Sequence, residues 1–258
     1  MVLGGCRQLG LVSTHRVTET RTPLQVGETA VDVVVYEAGD KGLTFVNLHD
    51  DENTSVEATL RVIRKRGGRV VELSHSGGRN VAFGLGDSTY VFDPNRIFTD
   101  AGIVATLRAL GPYSEAAHAA VRTFAEALLA LYRLDDLAVV VALHNNTEEA
   151  YSAQRYTEGE VYENDAEAVF IGNGSDPDDF FFVTDRDFFT AMRQAGYNVV
   201  LQDNAGATDD GSLSVYCGQR DIAYVNVEAQ HGHRKEQGRM LEWLNTMLLQ
   251  WIARRDTP

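Results

Sequence analysis

The chain alternates between short apolar runs and longer stretches with helical spacing. Residues 31–36 are rich in valine and read as a strand. Gly39-Asp40-Lys41-Gly42 turns this run into residues 43–48, a second strand. A helix is expected over 56–65, capped by Thr54 or Ser55 and ended by Gly67-Gly68, with a strand at 69–73. Ser114 caps a long helix through Arg133, rich in Ala and Leu. Residues 137–143 form a near-continuous apolar strand. Strands follow at 180–183, 198–201 and 222–227. A helix capped by Thr184 spans 185–195 and stops at Gly196, and another spans 235–253.

Strands that alternate with helices predict a mostly parallel sheet covered on both faces. The expected fold is α/β, a three-layer α/β/α sandwich around a mostly parallel mixed sheet. Ligands of such sheets sit outside the carboxyl ends of the strands. Residues 1–30, broken by Gly4-Gly5, Pro23 and Gly27, read as irregular. Residues 145–180 are polar and read as an active-site lid or insert. There is no internal repeat, low-complexity segment or domain boundary, so 1–258 is read as a single catalytic domain.

Composition narrows the classes of partner. Asp+Glu number 37 against 23 Lys+Arg, a net charge of -14. An acidic surface repels phosphate backbones, so no nucleic-acid partner is expected. A small anionic substrate stays open, because a local arginine overrides the global field. Cys6 and Cys217 form neither a disulfide framework nor a CxxC pair. No stretch approaches the ~18 apolar residues of a membrane span. The N-terminus lacks a charged segment followed by an apolar core, so the cytoplasm is the expected compartment. Leu3-Gly4-Gly5-Cys6 looks like the end of a lipoprotein cleavage site, and export stays open for a trimmed N-terminus.

His49, His144 and Glu228 each follow a predicted strand, so residues far apart in sequence meet in one crevice. His49-x-x-Glu52 places an imidazole and a carboxylate on one turn, and His144 adds a second imidazole. Catalytic zinc takes three such protein ligands plus water. Alone, the pattern is common in a chain with seven histidines, and a loop histidine is the plainer reading. Two histidines at the ends of buried strands make the zinc reading stronger. In Asp93-Pro94-Asn95-Arg96-Ile97-Phe98, Arg96 and Asn95 suit a bidentate grip on a carboxylate, although Asp-Pro-Asn is also ordinary turn chemistry. Asn145 or Asn146 would orient a ligand or line the pocket, and Tyr216 and Tyr224 would donate to substrate. Glu228 would take a proton from water and pass it on. His75, His231 and His233 read as loop residues, and no G-x-S-x-G elbow is present.

The order HxxE, D-x-N-R-x-F, L-H-N followed closely by Thr, then a strand-end Glu, resembles the aspartoacylase/succinylglutamate desuccinylase family of the zinc carboxypeptidase superfamily. The resemblance covers roughly residues 43–230. It implies a zinc carboxypeptidase-like fold and one zinc per chain, held by His49, Glu52 and His144. Glu228 would be the general base and then the acid. Asn95 and Arg96 would grip the free carboxylate of an N-acyl amino acid or of a peptide's last residue. The family's additional Arg, just before the Asn-Arg pair, is replaced by Asp87-Ser88-Thr89-Tyr90, which leaves Arg79 as the nearest upstream candidate. Pro94 stands where the family has Leu or Met, and a helix rather than a small β-rich domain is expected after Glu228. The expected function is a zinc-dependent hydrolase that cleaves an amide bond next to a free carboxylate. The alternatives are a zinc carboxypeptidase acting on peptides, cell-wall peptides included, and a metal- or ligand-binding protein without catalysis. The partner is a small molecule or short peptide, and oligomeric state is left open.

Overall fold

The computed structural model describes residues 14–148 and 150–255, and Cys6 with its neighbours lies outside them. The strands are β1 (Val17–Val26), β2 (Thr29–Ala38), β3 (Thr44–Asn47), β4 (Gly68–Ser74), β5 (Val81–Leu85), β6 (Ser88–Phe92), β7 (Val140–Asn146), β8 (Ala166–Phe170), β9 (Phe180–Val183), β10 (Asn198–Gln202) and β11 (Tyr224–Gln230). The helices are α1 (Asn53–Arg66), α2 (Asp100–Leu110), α3 (Glu115–Tyr132), α4 (Arg186–Gln194), α5 (Leu213–Gly218) and α6 (Arg234–Arg255). Nine strands form one sheet in the order β1-β2-β4-β3-β7-β11-β9-β10-β8, while β5 and β6 pair as a separate hairpin. The centre, β4-β3-β7-β11, is parallel throughout. Antiparallel pairs flank it at β2/β4 and β11/β9, and β9 and β10 again run parallel. This is the mixed, mostly parallel α/β sheet that the strand and helix pattern predicts.

The pleat sorts side chains into two cores. Along β7, Val140 and Ala142 join one core, Val141 and Leu143 the other. Successive strand side chains point to opposite faces, so a strand buried on both sides must be apolar at nearly every position. The first face packs under α2, α3 and α5, through Ile103, Leu107, Val121, Phe124, Leu128 and Leu213. The second packs under α1, α4 and α6, through Val62, Ile63, Phe188, Met192, Leu244 and Leu248. Three layers result. Among the described residues no helix is long and apolar enough to cross a membrane.

The structure corrects several expectations. Residues 1–30 are not all irregular, because β1 pairs along its length with β2 across a two-residue turn at Gly27-Glu28. Its Thr18-Glu19-Thr20-Arg21-Thr22 stretch is largely exposed, and Pro23 is tolerable because β1 is an edge strand. Pairing with β2, not hydrophobicity, makes it a strand. The β5/β6 hairpin, α2, α5 and β8 also had no counterpart in the apolar pattern. The residue that caps α1 is Glu52 rather than Thr54 or Ser55.

One buried side chain ties the back of the sheet to α6. Gln237 donates from Nε2 to the carbonyls of His144 (3.0 Å) and Val227 (3.3 Å), and its Oε1 accepts from Asn145 Nδ2 (3.0 Å). Gln237→Leu keeps the approximate volume but leaves these groups without partners. We expect the unfolding free energy to fall by about 1–3 kcal/mol, read from urea titration. An unchanged midpoint would show that this network contributes nothing to stability.

Candidate metal centre and active site

The site forms where β3, β7 and β11 end. In the parallel β7/β11 pair, His144 lies directly opposite Glu228. Each follows a residue of the α1/α4/α6 core, Leu143 or Val227, so both project toward the other face. Asn226, two residues back on that face, donates from Nδ2 to Glu228 Oε2 at 3.0 Å. His49 leaves β3 and enters a tight turn, closed by the Glu52 N–H donating to the His49 carbonyl (3.1 Å). The Ser55 hydroxyl and Asn145 hold the start of α1, so the Glu52 side chain makes no capping bond and turns inward.

His49, Glu52 and His144 are all buried, and their ligand atoms lie within 4.8 Å of one another. Glu52 sits between the rings, with Oε1 2.8 Å from His49 Nδ1 and Oε2 2.9 Å from His144 Nδ1. His49 Nε2 contacts Asp93 Oδ1 at 2.8 Å. Arg79 bridges the two carboxylates, from Nη1 to Glu52 Oε1 (3.0 Å) and from Nε to Asp93 Oδ2 (3.2 Å). Asp93 also accepts from the Asn95 backbone N–H at 2.8 Å.

The electrostatics follow from this packing. Burial pulls the His49 imidazole down, but the Glu52 charge and the Asp93 hydrogen bond outweigh it and hold the pKa at about 9. Burial pushes Glu52 up, yet the charges of His49 and His144 carry it well below the usual carboxylate range. Asp93 behaves likewise, through its bond to His49 and the charge of Arg79. His144 is lowered by burial, with Glu52 opposing, which favours the neutral ring that ligates metals. Glu228 is pushed up to about 8, by burial first and then by Glu52, with Asn226 opposing. That is near the working range of a general acid or base, and a nearby cation lowers it.

A cleft of about 700 Å³ opens over these groups. Glu52, His144, Asn226 and Glu228 line it together with Arg79, Asn95 and Arg96. Asn95 and Arg96 occupy a 3-10 turn, Pro94–Arg96, which Asp93 caps by accepting from the Asn95 N–H. Asn95 Oδ1 accepts from the Leu213 N–H at 3.0 Å. Arg96 Nη1 donates to the Asn95 carbonyl (2.7 Å), and Nε lies 3.4 Å from Asp210 Oδ2.

Tyr216 and Asn145, both expected at the substrate, are placed differently. Tyr216 packs beneath Arg220, 3.8 Å from ring to guanidinium carbon, and lines a separate groove with Phe98 and Arg122. On α5 the positions that reach the cleft are Ser214 and Val215, and each helical residue turns ~100° from the last. Asn145 borders the cleft, but its side chain faces the back of the sheet, bonded to the Ser55 N–H, the Ala229 carbonyl and Gln237. Strand alternation puts it opposite its neighbour His144.

Other groups went unnoticed in the sequence. The D-x-N-R-x-F pattern contains Asp93 but assigns it no role, and its bond to His49 is a contact over 44 residues. Tyr151, Tyr156 and Tyr162 of the segment after β7 also line the cleft, with Phe182 and Tyr224. The Tyr151 and Tyr156 hydroxyls bond to each other at 2.5 Å, and burial holds both phenols far up in pKa, hence neutral. Three tyrosines within a dozen residues after the His144 strand were the available signal. His75 stays in its loop, bonded to Ser76, and His233 leads into α6 beside Asp179. His231 borders the cleft.

No protein-family model and no curated protein matches the chain. Solved structures are similar to it. A succinylglutamate desuccinylase/aspartoacylase from Rhodobacter sphaeroides is 13% identical with a TM-score of 0.44, over 91% of this chain and 66% of that one. A murein-tripeptide amidase from Escherichia coli O157 is 16% identical with a TM-score of 0.44, over 89% and 92%. An N-formylglutamate amidohydrolase from Ralstonia eutropha JMP134 is 13% identical with a TM-score of 0.37, over 94% and 99%. The family that the motifs resemble is thus among these structures. What the site can do follows from its own geometry.

The Arg96 wall depends on a close backbone crossing. Gly102 of α2 meets Gly211, and a Cβ on Gly211 would lie 2.5 Å from Gly102 Cα and 2.6 Å from the Arg96 carbonyl oxygen. Gly211 also has φ +76°, a region disfavoured for side chains. Gly211→Ala should destabilise the protein by about 1–3 kcal/mol, a fall of roughly 2–12 °C in Tm at this chain size. Calorimetry checks it, and an unchanged Tm would mean that the crossing yields without cost.

Proposed function

We propose that the protein is a zinc-dependent hydrolase that cleaves an amide bond next to a free carboxylate, with one catalytic domain. The observation that carries this reading is the convergence of two buried imidazoles and a carboxylate beside a second buried acid, at a cleft that Arg96 lines. The donor set suits zinc, which takes imidazole nitrogen and carboxylate oxygen. His49 Nδ1 is buried and, despite its 2.8 Å approach to Glu52, has no aligned hydrogen bond, while Asp93 holds Nε2 on the far side of the ring. A carboxylate that orients the outer nitrogen of an imidazole is the usual support for a metal ligand.

Zinc held by His49, Glu52 and His144 would supply Lewis acidity, polarising a carbonyl and acidifying water. Glu228 takes the proton from the attacking water and delivers it to the departing amine, the work of a single group with a pKa near neutrality. Asn226 holds the Glu228 carboxyl in place during both transfers. Arg79, which also lines the cleft, stabilises negative charge that develops on the carbonyl oxygen. Arg96, with Asn95, fixes the substrate by its carboxylate and so contributes orientation. The tyrosine wall excludes water and packs against the acyl group or side chain. The leading substrate is an N-acyl amino acid. A cleft of about 700 Å³ also has room for the end of a peptide, which favours carboxypeptidase action as the second reading.

Elemental analysis after zinc loading and dialysis should find about one zinc per chain, lost in His49→Ala. A wild-type protein that retains no zinc would sink the metal reading.

Glu228→Gln should keep that zinc and lose at least about 100-fold in turnover on a panel of N-acyl amino acids and short peptides. Wild-type rates in this variant would remove Glu228 from the proton path.

A further inference from the structure

Arg96, the proposed carboxylate anchor, already faces a carboxylate. Asp210 Oδ2 lies 3.4 Å from Arg96 Nε, and both side chains are a third or more exposed (35% and 40%). The approach is an ion pair without hydrogen-bond alignment, unlike the two aligned bonds that hold Arg79. Asp210 is set there firmly. Its Oδ1 accepts from the Ser212 N–H (2.9 Å), its own N–H donates to the Thr208 carbonyl (2.9 Å), and neighbouring Asp209 accepts from the Thr99 hydroxyl (2.7 Å). The Gly211 carbonyl accepts from the Phe98 N–H at 3.0 Å, which bolts this loop to the segment that carries Arg96. Arg96 and Asp210 both line the cleft.

We propose that Asp210 is an internal carboxylate that competes with substrate for Arg96, and so sets how strongly the cleft prefers acids. A ligand carboxylate arriving at Arg96 must displace this contact or sit beside a like charge. The inference rests on the reading of Arg96 as the carboxylate anchor. Asp210 touches the anchor and not the reacting bond, so it acts on binding and on the choice between charged and uncharged ligands.

The test measures binding of N-benzoylglycine and of N-benzoylglycinamide to the full chain, loaded with zinc, in the Glu228→Gln background so that turnover does not consume ligand. The benzoyl group suits the tyrosine wall. Asp210→Asn keeps the acceptor for the Ser212 N–H and removes the charge, and Asp210→Ser is a second, smaller replacement that also offers an acceptor. Exposed ion pairs are weak, so both variants should tighten the acid only about 2- to 5-fold and leave the amide unchanged. Weaker or unchanged acid binding in both, with Arg96→Ala still weakening it, overturns the competition and leaves the anchor standing. If Arg96→Ala does not weaken the acid, or if no variant binds it, the anchor reading fails and the competition fails with it.

Discussion

Burying a carboxylate costs several kcal/mol unless opposite charge and donors surround it. Glu52 is buried at the N-terminal cap of α1, and the structure around the site supplies what it needs. Two imidazole nitrogens approach its two oxygens, and Arg79 donates to one of them. Each partner arrives from a different element: His49 from the end of β3, His144 from β7, Arg79 from the loop before β5. The turn after β3, the β3/β7 register and the approach of the β5/β6 hairpin are thereby fixed to one point. A shift of one residue in β7 would turn His144 to the back of the sheet and bring Leu143 or Asn145 forward. Gln237 opposes that shift from behind, because it bonds the carbonyls of His144 and Val227 together.

The same packing divides the acids into roles. Glu52 and Asp93 share His49 and Arg79, and both are held ionised. Glu228 has Asn226 as a donor and, among the described residues, no cation in direct contact, so burial dominates and raises it. Two buried glutamates in one cleft are thus driven apart in pKa, the condition under which one ligates and the other moves protons.

The sheet was legible in the sequence because a strand buried on both faces must be apolar almost throughout, and β3, β7 and β11 meet that demand. The residues His49, His144 and Glu228 were legible for the same reason, as polar groups at the ends of such runs. Strand β1 was not, since its pairing with β2 asks little of its exposed side chains. Periodicity also could not fix sidedness. Asn145 follows His144 and borders the cleft, but its amide bonds the Ser55 N–H, the Ala229 carbonyl and Gln237. On α5, Tyr216 lines a separate groove while its neighbours Ser214 and Val215 reach the cleft. The contacts of Asp93 with His49 and of Asp210 with Arg96 are long-range, and no local pattern encodes them.

Arg79 and Arg96 face the same cleft and each has an aspartate partner, but the two pairs differ in kind. Arg79 is held by aligned bonds to two largely buried carboxylates, so exchanging either for a ligand would strand a buried charge. Arg96 meets Asp210 at 3.4 Å in a position open to solvent, where loss of the contact costs little. Only the second arginine can therefore change partners at low cost. This is the physical basis on which we propose oxyanion stabilisation for Arg79 and substrate anchoring for Arg96. On that proposal, a chain with a net charge of -14 admits an anion at the one arginine whose partner is cheaply displaced.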